Sequence, residues 1–193
     1  GVTLADGETV GVDAVVLAMG YAPETTLAAE AGLALNDQGF ILVDEYMRTA
    51  DPDILAVGDC AEKRDFITRR SSGVMLASTA GAEARVAAMN LYGLCSVKSF
   101  GGTIAVYSTA IDGTGFGTAG VTAAAAEREG FEIVTGTFTG VDRHPGSLEG
   151  AHKQTVRLVV AKNCGTVIGG GVIGGPSAGE LTNVLGVAIQ NRM

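Results

Sequence analysis

The residues best placed to do chemistry are Thr49, Ala56, Gly58 and Asp59, spaced as T-x6-A-x-G-D, the last of them closing the short apolar run Ile54-Leu55-Ala56-Val57. A carboxylate at the C-terminal edge of a buried strand can accept hydrogen bonds from the hydroxyls of a sugar or ribityl chain, and a glycine beside it lets the backbone approach a ligand closely. A nucleotide fits such a place. Alone, A-x-G-D is short enough to be an ordinary strand running into a turn, so its surroundings decide.

Three other patterns invite chemistry and are weighed against blander readings. Gly115-Phe116-Gly117-Thr118-Ala119-Gly120 matches G-x-G-x-x-G, and Asp142 follows about 20 residues on, near the distance of a ribose-binding acid. In a phosphate-binding fingerprint, however, the helix begins within the glycines, whereas here Thr122 caps a helix after them. His144-Pro145-Gly146-Ser147-Leu148-Glu149 could supply an acid–base pair but reads as a polar loop. Cys60 follows Asp59 without a disulfide partner, so packing is its expected role. Cys60, Cys95 and Cys164 are odd in number, widely spaced and free of C-x-x-C, which indicates neither a disulfide framework nor a zinc site. All are expected to be reduced thiols; no catalytic residue and no metal ligand is assigned.

The elements that must position Asp59 follow from periodicity. Val15-Val16-Leu17, Ile41-Leu42-Val43 and Ile54 to Val57 have the β-branched, apolar look of short strands buried in a parallel sheet. Residues 24–31 favour a helix with Gly32 as its stop, and Leu4 to Gly11 reads as a strand and turn in mid-domain, so the chain is expected to be a portion of something longer. From Met75 the spacing turns helical, with Leu76, Ala80, Ala84, Ala87 and Leu91 on one stripe and Glu83, Arg85 and Asn90 off it. Gly93 ends that helix, and residues 94–102 connect to a second unit.

That unit is expected to hold a strand over 103–111, a Gly-rich turn over 112–120, a short helix capped by Thr122 and ended by Gly130, and a strand over 131–139. Alternation at Val156, Leu158 and Val160, a turn at 163–165 and the run Val167 to Ile173 predict an antiparallel hairpin. Ser177 and Glu180 form an S-x-x-E capping box opening a last helix with Leu181, Val184, Leu185 and Ala188 on one face.

Composition narrows the classes. Thirteen Lys+Arg against 21 Asp+Glu give a net charge of −8, which repels a phosphate backbone and argues against nucleic acid or an anionic membrane as partner. The apolar runs fall short of the ~20 residues a spanning helix needs, so a cytoplasmic location is expected.

Three stretches in order, Val15 to Pro23 ("VVLAMGYAP"), Gly39 to Thr49 ("GFILVDEYMRT") and Ala56 to Asp59, resemble the pyridine nucleotide-disulfide oxidoreductase family, and within it the NADH oxidase and coenzyme A-disulfide reductase branch. Met19 stands where that family commonly has Thr. The resemblance implies α/β plus α+β architecture: the C-terminal half of a Rossmann-like FAD-binding domain followed by an antiparallel-sheet dimerisation domain. It implies residues 1–22 as the tail of an NAD(P)H-binding domain, 23–97 as the second part of the FAD domain and 98–193 as the interface domain, with the chain a homodimer. By the same resemblance Gly58 and Asp59 face the ribityl chain of FAD, and Leu76, Ala77 and Ser78 open a helix facing the flavin's pyrimidine edge. NAD(P)H would be the hydride donor, and oxygen or a disulfide the acceptor. The family's FAD pyrophosphate fingerprint, redox cysteine and NAD(P)H glycine motif are not among these residues, so the chain alone is expected to be inactive. A reading from another class makes residues 98–193 a non-catalytic oligomerisation module and the A-x-G-D stretch a relic; flavin absorbance of the full-length protein separates the two.

Overall fold

The computed structural model describes residues 1–94 and 98–193; Cys95 lies outside them. Two β-hairpins of minimal length occur early: β1 (Val2–Thr3) with β2 (Thr9–Val10), and β3 (Lys63–Arg64) with β4 (Ser71–Ser72). Helix α1 (Thr26–Glu30) stops where expected, with Gly32 at φ +79°.

The predicted strands of the first half are not ladders here. Val15, Val16 and Leu17 are 57%, 88% and 76% exposed and pair with nothing among the described residues, so their N–H and C=O groups are left to solvent. Around Ile41 and Leu55 the pairing is reduced to single bridges: Ile41 parallel to Ala61, antiparallel to Leu35, and Arg48 antiparallel to Leu55. Ile41, Ala56 and Ala61 nonetheless form a small buried core, so the apolar pattern marks burial correctly and regular strand wrongly.

Helix α2 (Ala77–Asn90) lies within the predicted span, but its buried face is turned about a quarter-turn from the expected stripe. Thr79, Glu83, Val86 and Asn90 are buried, whereas Ala84 and Leu91 are exposed. Glu83 and Asn90 lie off the expected stripe. They are inside because partners meet them there: Glu83 meets Lys63, and Asn90 donates to Val86 O at 2.8 Å.

The second half is an antiparallel sheet in spatial order β5 (Val106–Ile111), β6 (Thr114–Gly120), β9 (Val167–Gly174), β8 (Lys153–Ala161), β7 (Ile133–Val141). Residues 114–120, read as part of a turn, are strand. The turn is only Asp112-Gly113, both at positive φ (48° and 75°) with Ile111 facing Thr114 across it, the two-residue hairpin that an Asp-Gly pair favours. Helix α3 (Ala123–Arg128) keeps its predicted cap, Thr122 Oγ1 accepting from Ala125 N at 3.2 Å.

Helix α4 (Ala178–Gln190) lies across β5, β6 and β9 and buries Ala178, Leu185 and Ile189 against Ala119 and Val172. A buried side chain of this kind contributes roughly 1.5–3 kcal/mol. Val184, predicted on the buried face, is 59% exposed; Thr182, Gly186 and Ile189 fill the contact instead. The predicted capping box is not made, because Ser177 Oγ hydrogen-bonds sideways, to Asp142 Oδ2 at 3.3 Å and Gln154 Oε1 at 3.2 Å. A second core joins Val121, Ala126, Val159, Ala161 and Ile168 beneath α3.

Candidate functional site

Thr49 proves to be the brace of the turn that precedes Asp59. Its hydroxyl donates to the carbonyls of Asp51 and Ile54, each at 3.0 Å, and accepts from Asp51 N at 3.1 Å. The hydroxyl is thus spent on backbone, which turns the chain and sends residues 54–57 toward Gly58.

Gly58, Asp59 and Cys60 form a single 3₁₀ turn. Gly58 sits at φ +79°, a conformation open to glycine and strained for other residues. The turn rests on the first two turns of α2: a β-carbon on Gly58 would lie 3.7 Å from Ala80 Cβ, and Gly58 N donates to Glu83 Oε2 at 2.7 Å. The fold therefore gathers the two groups of predicted site residues, Gly58 with Asp59 and Leu76 with Ala77 and Ser78, around one helix end.

The chemistry offered there has two complementary parts. Asp59 is exposed, and among the described residues its carboxylate takes no hydrogen bond or ion pair, so its oxygens are free to accept. Leu76 is the N-cap of α2, with no side-chain cap, and Ala77 and Ser78 are exposed in the first turn. An uncapped helix start presents free N–H groups and a partial positive charge. Acceptors for polyol hydroxyls beside donors for an electron-rich ring edge suit the residues' expected partner, a flavin.

Lys63 and Glu83 are the residues that periodicity and motif reading missed. Both side chains are fully buried, with Lys63 Nζ 3.5 Å from Glu83 Oε1. Nζ also donates to Gly58 O and to Ala61 O, the latter at 3.1 Å. Burial pushes the Glu83 carboxyl above its ordinary range, against the pull of the Gly58 N–H and Lys63. The available signal was one acidic residue in a helix of small residues, which does not announce its partner.

The set-aside patterns are also placed. Gly115 to Gly120 lie within strand β6 under α4, not in a phosphate loop. Asp142 is half-buried with its carboxylate turned inward, its Oδ1 accepting from His152 N at 2.8 Å and its Oδ2 facing His152 Nδ1 at 3.3 Å. Those hydrogen bonds, the backbone one first, hold its carboxyl below the ordinary range. Residues 143–149 are exposed loop. Cys60 and Cys164 are free, and Cys60 Sγ points to Val57 O at 3.4 Å. Among the described residues no cluster of His, Cys, Asp or Glu could hold a metal, and no helix is long and apolar enough to cross a membrane.

These elements match known proteins in the same order. Residues 1–84 match the pyridine nucleotide-disulphide oxidoreductase family, and residues 106–193 match that family's dimerisation domain. The chain belongs to the pyridine nucleotide-disulphide oxidoreductase family. It is 35% identical to a mercuric reductase of Acidithiobacillus ferrooxidans over all of this chain and 34% of that protein. It is 31% identical to an NADH oxidase of Methanocaldococcus jannaschii, over 97% of this chain and 41% of that one. Among solved structures, an NAD-dependent persulfide reductase from A. fulgidus superposes with a TM-score of 0.89 at 32% identity, covering 98% of this chain and 35% of the other. The reduced CoADR-RHD of Bacillus anthracis gives 0.92 at 27% identity, over 99% and 34%. The chain thus spans between about a third and two fifths of the length of these curated relatives.

Proposed function

We propose that this chain is the flavin-cradling and subunit-pairing portion of an FAD-dependent NAD(P)H oxidoreductase. Residues 1–22 are the tail of the NAD(P)H domain, 23–97 the second part of the FAD domain and 98–193 a dimerisation domain that joins two copies. The observation that carries the reading is the exposed, unpartnered Asp59 carboxylate beside the uncapped start of α2. FAD, when bound, accepts a hydride from NAD(P)H and hands two electrons to oxygen or a disulfide.

The chain's own residues do the positioning. Asp59 accepts hydrogen bonds from the ribityl hydroxyls, and Gly58 keeps side-chain bulk away from the ligand. Leu76, Ala77 and Ser78 turn their N–H groups and the helix's positive end toward the ring edge where negative charge gathers on reduction. That arrangement favours the reduced form without a charged side chain at the ring.

Asp59→Ala in the full-length protein is the test. The loss of one charge-assisted hydrogen bond should weaken FAD by about 1.5–3 kcal/mol, read as flavin lost on gel filtration and a raised Kd in fluorescence titration. Unchanged flavin content would remove the reading.

A further inference from the structure

The Lys63–Glu83 pair is made of charges in the wrong place for stability alone. Lys63 is 1% exposed and Glu83 0%, and removing two charges from water costs so much that apolar replacements of similar size are often no less stable. Glu83 Oε1 is moreover the one buried side-chain polar atom, among the described residues, that lacks a hydrogen-bond partner; its contact with Lys63 at 3.5 Å is ionic only. The pair is not built to satisfy itself.

What both partners do satisfy is a single residue. Glu83 Oε2 accepts from the Gly58 N–H at 2.7 Å, while Lys63 Nζ donates a hydrogen bond to the Gly58 carbonyl. Glycine reaches φ +79° without strain and is equally free to leave it, so its conformation is fixed from outside, and here one charge grips the residue's donor and the other its acceptor. Asp59 comes next in the chain, and with no side-chain bond of its own its direction is set by the backbone it hangs from.

We propose that Lys63 and Glu83 are positioning residues that clamp Gly58 from both sides and so aim the Asp59 carboxylate at the flavin's polyol; the inference rests on the flavin reading above. The clamp spans two elements far apart in the chain, β3 and the second turn of α2, and thereby locks the carboxylate and the helix start into one unit. Neither residue touches the ligand. Their effect on binding passes through Asp59.

The test is FAD titration of the full-length apoprotein, followed by flavin fluorescence, for the wild type, Lys63→Met, Asp59→Ala, the double variant, and Val86→Ala as a control for lost stability. Val86 is 6% exposed on the same face of α2 and has no bond to Gly58. Lys63→Met should raise the Kd roughly tenfold or more, yet in the Asp59→Ala background it should add less than about twofold, because residues acting through one another are not additive. Val86→Ala should lower the unfolding midpoint and leave the Kd within about twofold. Where Lys63→Met does not fold, Glu83→Gln, which keeps an acceptor for the Gly58 N–H, should hold the Kd within about threefold while Glu83→Leu raises it about tenfold. The proposal is overturned by a Lys63→Met Kd equal to wild type, by an equal loss in the Asp59→Ala background, or by Glu83→Gln and Glu83→Leu behaving alike. If Asp59→Ala itself binds FAD normally, it is the flavin reading that falls.

Discussion

A β-carbon on Gly117 would stand 1.9 Å from Thr182 Oγ1, so helix α4 and strand β6 touch backbone to side chain at that point. The same holds along the strand: at Gly115 a β-carbon would meet Ala178 Cβ at 2.9 Å, and at Gly120 Ile189 Cδ1 at 2.7 Å. The glycines that mimic a dinucleotide fingerprint are thus the floor on which α4 lies, spaced to admit Ala178, Thr182 and Ile189.

Gly117→Ala should therefore destabilise by at least the ~1–3 kcal/mol typical of overpacking a filled core. Gly136, on strand β7, has nothing within 4 Å of its missing β-carbon, and Gly136→Ala should be neutral or stabilise by up to about 1 kcal/mol. Urea midpoints of the two variants measure this. Equal shifts would mean that α4 does not sit on the sheet as described.

Asp142 is spent on structure, linking the end of β7, His152 at the approach to β8, and Ser177 at the start of α4. Its carboxyl is held below the ordinary value of 3.8. A depressed folded-state value means the stabilisation is present above the unfolded value and is lost as pH falls through the folded one. Asp142→Asn should accordingly lower the unfolding midpoint at pH 7 by an amount that shrinks as pH falls below 3.8 through the folded value, while Asp142→Ala leaves the FAD Kd and the KM for NAD(P)H unchanged. A KM raised more than about tenfold (~1.4 kcal/mol) would return the glycine motif to nucleotide binding.

Glu83 titrates with the opposite sign. Burial raises its folded value above the ordinary 4.5, so its contribution falls as pH rises from about 4.5 toward the folded value. Lys63→Met removes the opposing charge and raises that value further. The variant should lose ~3–5 kcal/mol at neutral pH, as for any buried pair broken on one side, and recover part of it at pH 5. Denaturation midpoints across that range decide it; a loss independent of pH would mean the charge of Glu83 is not what Lys63 offsets.

How far the residues announced this structure depends on where their partners lie. Helices α1 and α3 and the β8–β9 hairpin obey local rules, with Gly32, Thr122, Gly130 and Gly165 in the roles their types suggest. The buried face of α2 did not, because Lys63 and Glu83 lie 20 positions apart and only the tertiary fold joins them. Ser177 likewise has two competing sets of partners, and the distant one, Asp142 and Gln154, wins over its own helix. Asp59 stands out in the sequence because its motif sits in one short stretch of chain, whereas the Lys63–Glu83 contact behind it joins residues that no single motif spans.

The sheet has one face covered by α4 and another that carries a concave, mostly apolar depression of about 550 Å³, lined by Phe116, Val121, Val159 and Ile173 with Arg157 the one charged residue in it. Ile173 is 52% exposed there, directly across from Phe116 on β6. Exposed apolar surface that is contiguous and concave marks an interface more reliably than scattered residues do, and a two-fold axis would set each depression against its own copy. Phe138, 73% exposed on the edge strand β7, lies outside the depression. The full-length protein should sediment as a dimer at micromolar concentration. Ile173→Asp, which places a charge at the centre of the contact, should shift it toward monomer by about tenfold or more in Kd, whereas Phe138→Asp leaves the dimer intact. A wild-type monomer would count against the dimerisation role of residues 98–193, and dissociation by Phe138→Asp alone would move the interface to the other side of the sheet.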